Sequence, residues 1–346
     1  MRGVMAWWVV LGHLSLALDW QLPVVDRNGL AVEVFIVLSG FVIAGLIDRR
    51  SEPFLPYITR RAFRIAPLYL AVLLVSAALL PVQLAAWEAL PATARNLDRI
   101  ELVRLALANL PAHMAVHLPL AQGLVPHRVL PEAAFTILGQ AWSISLEMQF
   151  YLLAPLAMWA LRKWDRIALL AVGSAVLVAI GPYFSAGFIG NKLLLFGVGI
   201  CASKASGGNA RGRWLAAAMA LAAGAVWQDG PWEVLPLAII GLVLAASLWE
   251  PAPLRPLARL LGGQALAHQG EISYSTYLVH MIPLYGSAAL CASLGMGGAG
   301  RAALVALATI GGTYLIALGT YRWIEHPARE YGTRLARRMR AAPKAS

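Results

Sequence analysis

Four ionisable side chains, His13, Glu33, Glu147 and His280, interrupt runs that are otherwise almost wholly apolar. Placing such a group in lipid is costly, so each is a candidate for chemistry. An imidazole titrates near neutrality and can take a proton from a hydroxyl, which makes His13 a candidate general base. The bland alternative is a neutral imidazole bonded to a backbone carbonyl. For His280 the two readings stand level, because Ser273, Tyr274, Ser275 and Tyr277 offer it structural partners. Tyr274 is also a candidate for supporting a substrate. Ser39 precedes Gly40, a pair that suits close helix packing as well as substrate contact. Glu147 lies five residues inside its run after Trp142 and is a candidate acid to orient or charge-balance His13. Glu33, near the start of its run, could equally meet an interface.

A second group of candidates is basic. Residues 57–67 read YITRRAFRIAP. If this loop is helical, Arg60 and Arg64 share a face at i,i+4, and Arg61 joins Arg64 at i,i+3. Three guanidinium forks so placed suit phosphate oxygens. Simple anchoring by positive charge would ask for no order among them.

The elements that must position these groups follow from composition. Of 346 residues, 60% are hydrophobic and only 13% charged, with a net charge of +11. A water-soluble domain carries about 25% charged residues. The chain therefore reads as an all-α, polytopic membrane protein with about ten transmembrane helices of roughly 20 residues each. The predicted spans are 4–22, 30–47, 65–86, 142–161, 167–184, 190–203, 214–228, 232–249, 272–293 and 302–323. Residues 100–118 are apolar too, but Arg104, Asn109 and Pro111 interrupt them, so they are expected to form an interfacial or re-entrant helix. With depth counted from the inner helix ends at about 1.5 Å per residue, His13 and His280 fall roughly 12–14 Å deep, level with Ser39. Glu33 and Glu147 fall deeper, at roughly 21 Å. An inner layer of imidazoles and an outer layer of carboxylates is expected.

With the N-terminus inside, the loops and tail on the inner face hold 21 of the 28 Lys and Arg residues, and the outer face holds 7. That bias places both termini in the cytoplasm. A full span at 100–118 would invert everything after it. Residues 87–141 then form an external cap within one membrane domain, 1–330, followed by a basic cytoplasmic tail, 331–346. The two cysteines, Cys201 and Cys291, both lie in apolar runs and support neither a disulfide framework nor a zinc site. The basic charges sit in short clusters between apolar stretches, which argues against nucleic acid as a partner and for the lipid bilayer.

Several segments, taken in order, resemble acyltransferase family 3. They are RGVMAWWVVLGH (2–13), NGLAVEVFIVLSGFVIAGLI (28–47), RRAFRIAPLY (60–69) and WSISLEMQFYLLAPL (142–156). ISYSTYLVH (272–280) and IEHP (324–327) close the series. The resemblance implies a ten-helix core in a bacterial inner membrane and O-acylation of a glycan, a lipid-linked sugar or a small natural product. It also implies an acyl-CoA donor, most simply acetyl-CoA, arriving from the cytoplasm, and no metal. Arg2 and His13 match the spacing of an essential family motif. Arg60, Arg61 and Arg64 fall on its important paired arginines, and with Arg2 they are the donor-binding candidates. Glu147 matches the acidic position of the tryptophan–serine motif, whereas Glu33 stands where Asp is usual. The soluble C-terminal hydrolase-like domain that some members carry is not expected in this sequence, so the membrane core is expected to complete the transfer alone or with a partner. A secondary transporter, with midplane charges that bind its substrate, is the competing class; it would favour internal repeats, and none is evident.

Overall fold

In a computed structural model, described for residues 1–50, 52–208, 210–248 and 251–341, the regular structure is helical. Five stretches are long and apolar enough to cross a membrane: Gly29–Arg49, Phe54–Ala78, Trp164–Tyr183, Pro231–Leu248 and Gly298–Arg340. The shorter apolar helix Arg2–Leu18 accompanies them.

The chain opens with α1 (Arg2–Leu18), which stops where Asp19 turns left-handed at φ 58°. Helix α2 (Gly29–Arg49) follows and packs along α9 (Leu193–Ser206). That contact depends on small residues. A Cβ on Gly40 would stand 2.3 Å from the Phe196 carbonyl oxygen. Gly40 is thus the packing half of the Ser39–Gly40 pair, leaving Ser39 free for another partner.

The third helix corrects the expected boundary. Helix α3 (Phe54–Ala78) begins eleven residues before position 65, so Arg60, Arg61 and Arg64 lie within it and not in a loop ahead of it. Its early turns are held by the C-terminal helix, the Phe63 and Tyr331 rings lying 5.3 Å apart. Gly332 backs onto the Phe63 Cβ. The remainder of the predicted third span is a separate helix, α4 (Leu80–Ala89), after a break at Leu79.

Residues 100–118 do not form one helix. Helix α5 (Ala94–Ala108), capped by the Thr93 hydroxyl, ends at Asn109, and α6 (Leu110–His117) restarts with Pro111 in its first turn. The chain then descends into the bundle through irregular turns as far as Gln140, whose buried side chain donates to the Leu278 carbonyl at 2.7 Å.

Helix α7 (Trp142–Ala160) starts beneath this descent, and α8 (Trp164–Ile180) follows. Then come α9, α10 (Arg211–Asp229) and α11 (Val234–Leu248). The predicted end of the eighth span, Trp249, lies outside the described residues. Two short helices, α12 (Arg255–Leu261) and α13 (Gln264–Glu271), lead back under α1, where Gly3 faces Gln269.

The predicted span 272–293 is also divided. Helix α14 (Ser273–Val279) and α15 (Met281–Ser293) meet at His280, so a candidate site residue sits at the break. Helix α16 (Gly298–Thr320) runs through a π-helical turn, Tyr321–Glu325, into α17 (His326–Ala341). Residues 331–341 of the predicted tail are thus helical and packed on α3. Residues 342–346 lie outside the described part.

Candidate active site

Two cavities lie along α1, one at each end. The first, about 40 Å³, is lined by Arg2, Ser39, Ser143, Glu147, Tyr274 and Tyr277 among others. Arg2 enters at the start of α1, with its guanidinium 5.7 Å from the centre of the Phe35 ring. Glu147 accepts a hydrogen bond from Ser39 at 3.2 Å and another from Tyr151, one helical turn on. The Arg61 guanidinium lies 5.7 Å from the Tyr151 ring centre. Arg64 is charge-coupled to the same group of Tyr151, Glu147, Glu325 and Tyr274. Tyr274 donates to the Ile65 carbonyl at 2.8 Å, tying α14 to α3, and Ser275 donates to Glu325 at 2.7 Å.

Arg60 stands apart from this group. It forms an ion pair with Glu52, so its charge is already answered. Arg2 and Arg61, by contrast, each keep a buried Nε with no hydrogen-bond partner.

The second cavity, about 680 Å³, opens beneath the cap and is lined by His13, Trp87, Arg95, Arg99, Gln140 and Tyr277 among others. Val32 and Tyr277 line both cavities and form the partition between them. Tyr277 is held there by Ser143 at 2.8 Å and by donation to the Gln140 carbonyl at 2.6 Å. Eleven residues of helix separate Arg2 from His13, about 16 Å at 1.5 Å per residue, so one helix serves both cavities.

His13 reaches the second cavity because Gly12 lets α1 approach the start of α2. A Cβ on Gly12 would stand 2.4 Å from the Asn28 Cβ. From the cap, Arg99 places Nη2 3.0 Å from His13 Nδ1. On the other side the His280 ring centre is 5.1 Å from that of His13. His280 Nδ1 lies 2.7 Å from the Tyr277 carbonyl, while its Nε2 is buried without a partner.

Arg99 is itself tightly held. It donates to Asn96 Oδ1 at 3.1 Å and lies 4.5 Å from the Trp87 ring centre, and Asn96 is pinned by the Ala17 and Pro91 carbonyls. Burial, and next the charge of Arg95, push the Arg99 guanidinium down to about 9, which still leaves it protonated at pH 7. Among the described residues no carboxylate pairs with it.

The expected layering of imidazoles and carboxylates does not hold. Glu147 shares the arginine-end cavity with Ser39, whereas His13 lines the cap-end one. Counting from helix ends assumed a common starting plane. In fact Gln140, just ahead of α7, bonds to the Leu278 carbonyl near His280, while Gly12 brings His13 beside the first residues of α2. Glu147 therefore does not meet His13, whose partners are Arg99 and His280. Glu33 joins neither group. It forms an ion pair with Lys192 at 2.8 Å, which also meets Asp229 at 3.0 Å and Glu233 at 3.7 Å. That cluster ties α2 to the α9–α11 side of the molecule.

Sequence reasoning missed Arg99, Asn96 and Tyr151. The only local signal for the first two was Thr93 with Asn96, the pattern of a helix cap, which says nothing of what the next turn meets. Among the described residues no three His, Cys, Asp or Glu side chains gather as a metal site.

Residues 1–319 match the family model described as an acyltransferase domain, which covers most of the chain. The chain belongs to acyltransferase family 3. No curated protein and no solved structure matches it. With apolar helices long enough to cross a bilayer, this family 3 member is a membrane acyltransferase.

Proposed function

We propose that this acyltransferase moves an acyl group, most simply acetyl, from cytoplasmic acyl-CoA to a hydroxyl of a glycan, lipid-linked sugar or natural product. The ten helical segments cross the inner membrane as one domain, with both termini in the cytoplasm and residues 87–141 outside. The observation that carries this reading is the pair of cavities that share Val32 and Tyr277 in their linings. The arginine end sets Arg2 and Arg64 near Glu147 and Glu325 and leaves the Nε atoms of Arg2 and Arg61 without hydrogen-bond partners, a donor-rich setting suited to the phosphates of coenzyme A. The cap end is larger, lined by aromatic rings and by Asn28, Gln83 and Gln140, the mixture that holds a polar ring-shaped acceptor.

The donor's phosphates rest on Arg2, Arg61 and Arg64, with Arg60 at the edge. Its pantetheine arm follows α1 past Ser39 and Tyr274 to His13, and the partition at Tyr277 must yield to let it through. The acceptor oxygen attacks the thioester carbon at the His13–His280 pair, the C–S bond breaks, and coenzyme A leaves as a thiol. Glu147, bonded to Ser39 and Tyr151, holds the arginine-end charges in register.

Radiolabelled acetyl-CoA incubated with membranes containing the protein tests this reading. Label should pass to a hydroxyl-bearing acceptor, and His13→Ala should abolish the transfer while leaving the protein folded in the membrane. Transfer at the wild-type rate by that variant would remove His13 from the chemistry.

A further inference from the structure

The two histidines of the cap-end cavity have opposite hydrogen-bond environments, and each environment dictates a tautomer. A guanidinium has donors only. With Arg99 Nη2 at 3.0 Å, His13 Nδ1 must therefore be the acceptor, and its ring proton resides on Nε2. A carbonyl oxygen accepts only. With the Tyr277 carbonyl at 2.7 Å, His280 Nδ1 must carry the proton, and its lone pair is left on Nε2. That Nε2 is buried and has no partner in the protein.

We propose that Arg99, reaching in from the cap, sets the division of labour between the two histidines. It locks His13 as an Nε2–H donor and leaves His280 Nε2 as the proton acceptor of the acyl transfer. This rests on the acyltransferase reading and reverses the role expected of His13. A proton cannot join His13 Nδ1 without displacing the guanidinium, and the cation opposes a second positive charge beside it. What this arrangement favours is negative charge. Arg99 is 7% exposed and has no carboxylate partner among the described residues, and Asn96 and Trp87 hold it in place. A fixed donor backed by a cation is the device that stabilises an oxyanion as it forms.

The atoms balance as follows. The acceptor hydroxyl gives its proton to His280 Nε2 as its oxygen attacks the thioester carbon. The carbonyl oxygen becomes an oxyanion and receives the His13 Nε2–H hydrogen bond. Collapse restores the carbonyl and breaks the C–S bond, and the departing sulfur takes the proton from His280. The products are an ester and free coenzyme A. With ring centres 5.1 Å apart, one carbonyl and its incoming hydroxyl can meet one ring each. In this scheme Arg99 is a positioning residue, because it acts through His13.

The test has two arms on the full-length protein. In the first, the protein carries ¹⁵N-labelled histidine, and the His13 resonances are assigned by their loss in His13→Asn. The wild type should show an unprotonated Nδ1 and a protonated Nε2 at His13, and Arg99→Met should erase that pattern. A protonated Nδ1 in the wild type, or a pattern unchanged in Arg99→Met, overturns the proposal. In the second arm, label transfer from acetyl-CoA is followed in membranes. Arg99→Met should lower kcat by about 100-fold, the range for a lost oxyanion donor, with the KM for acetyl-CoA unchanged. Arg99→Lys should recover part of that loss. His280→Asn keeps a donor for the Tyr277 carbonyl and removes the ring edge that carries the Nε2 lone pair, so it should lose about 100-fold or more. A His280→Asn rate within threefold of wild type overturns the assignment of the base. A wild type that transfers no label overturns the functional reading instead, and the resonance arm then decides the tautomers alone.

Discussion

Lys192 is a largely covered cation and Arg99 a buried one, and their surroundings differ completely. Lys192 is met by three carboxylates, Glu33, Asp229 and Glu233, from the helices and turns it joins. Arg99 has a neutral amide, an indole face and a neutral imidazole. A charge surrounded by counter-charges is answered within the fold and serves to hold helices together. A charge held in place without one is available to something that arrives. The arginines at the other end repeat the contrast, since Arg60 is bound to Glu52 while Arg61 keeps an unpartnered Nε.

The sharpest way to break this comparison is to remove both cations. Lys192→Met strands three carboxylates and should cost about 3–5 kcal/mol, the range for a broken buried ion pair. Arg99→Met strands no carboxylate and leaves only the neutral acceptors Asn96 Oδ1 and His13 Nδ1 without a donor, so it should cost about 1–3 kcal/mol, less than Lys192→Met, while transfer collapses. Unfolding in mixed detergent micelles measures both, and equal destabilisation would erase the distinction.

The cap that delivers Arg99 gives a second test. His117, at the end of α6, meets Tyr69, Thr136 and the Ala133 carbonyl, with His113 nearby. Burial holds it down to about 4 from the ordinary 6.5. The unfolded cap therefore takes up a proton that the folded cap refuses, and stability falls as pH drops from about 6.5 to about 4. The loss over that window is roughly 3 kcal/mol at most. Hydrogen exchange in residues 94–117 should speed up at low pH, and His117→Gln should remove most of that pH dependence.

Smaller effects sharpen the comparison further. Gly12→Ala pushes a methyl group into Asn28 and should cost about 1–3 kcal/mol, shifting His13 and slowing transfer. Arg61→Lys and Arg64→Lys should each weaken acyl-CoA binding by about tenfold, because an ammonium cannot reproduce a bidentate fork. Arg60→Lys should matter less, since Glu52 already holds that charge. Equal effects at all three positions, with insertion unchanged, would leave anchoring as the better account of the cluster.

Hydropathy and charge made the helical membrane class legible, because lipid demands apolar runs with satisfied backbones wherever they stand in the fold. Each of the ten predicted spans has a helix in the structure, but two are divided, at Leu79 and at His280. Each break stands just ahead of a proline, Pro81 or Pro283, whose ring and missing amide interrupt the helix, and an averaged window of hydropathy passes over a single residue. The motif spacing between Arg2 and His13 was readable because both lie on one helix, where rise per residue converts sequence into distance. Arg99 was not, since its partner is 86 residues away on another element. The same reason displaced Glu147. Its neighbours, Ser39 and Tyr151, depend on how α7 packs against α2, and the sequence around Glu147 carries no record of that. Residue types alone marked imidazoles, carboxylates and guanidinium groups as the candidates for chemistry in a chain of apolar helices. Only the packing of α1, α5, α7 and α14 decided which of them meet, because a hydrogen bond is specified to tenths of an ångström by all the elements that hold its two ends.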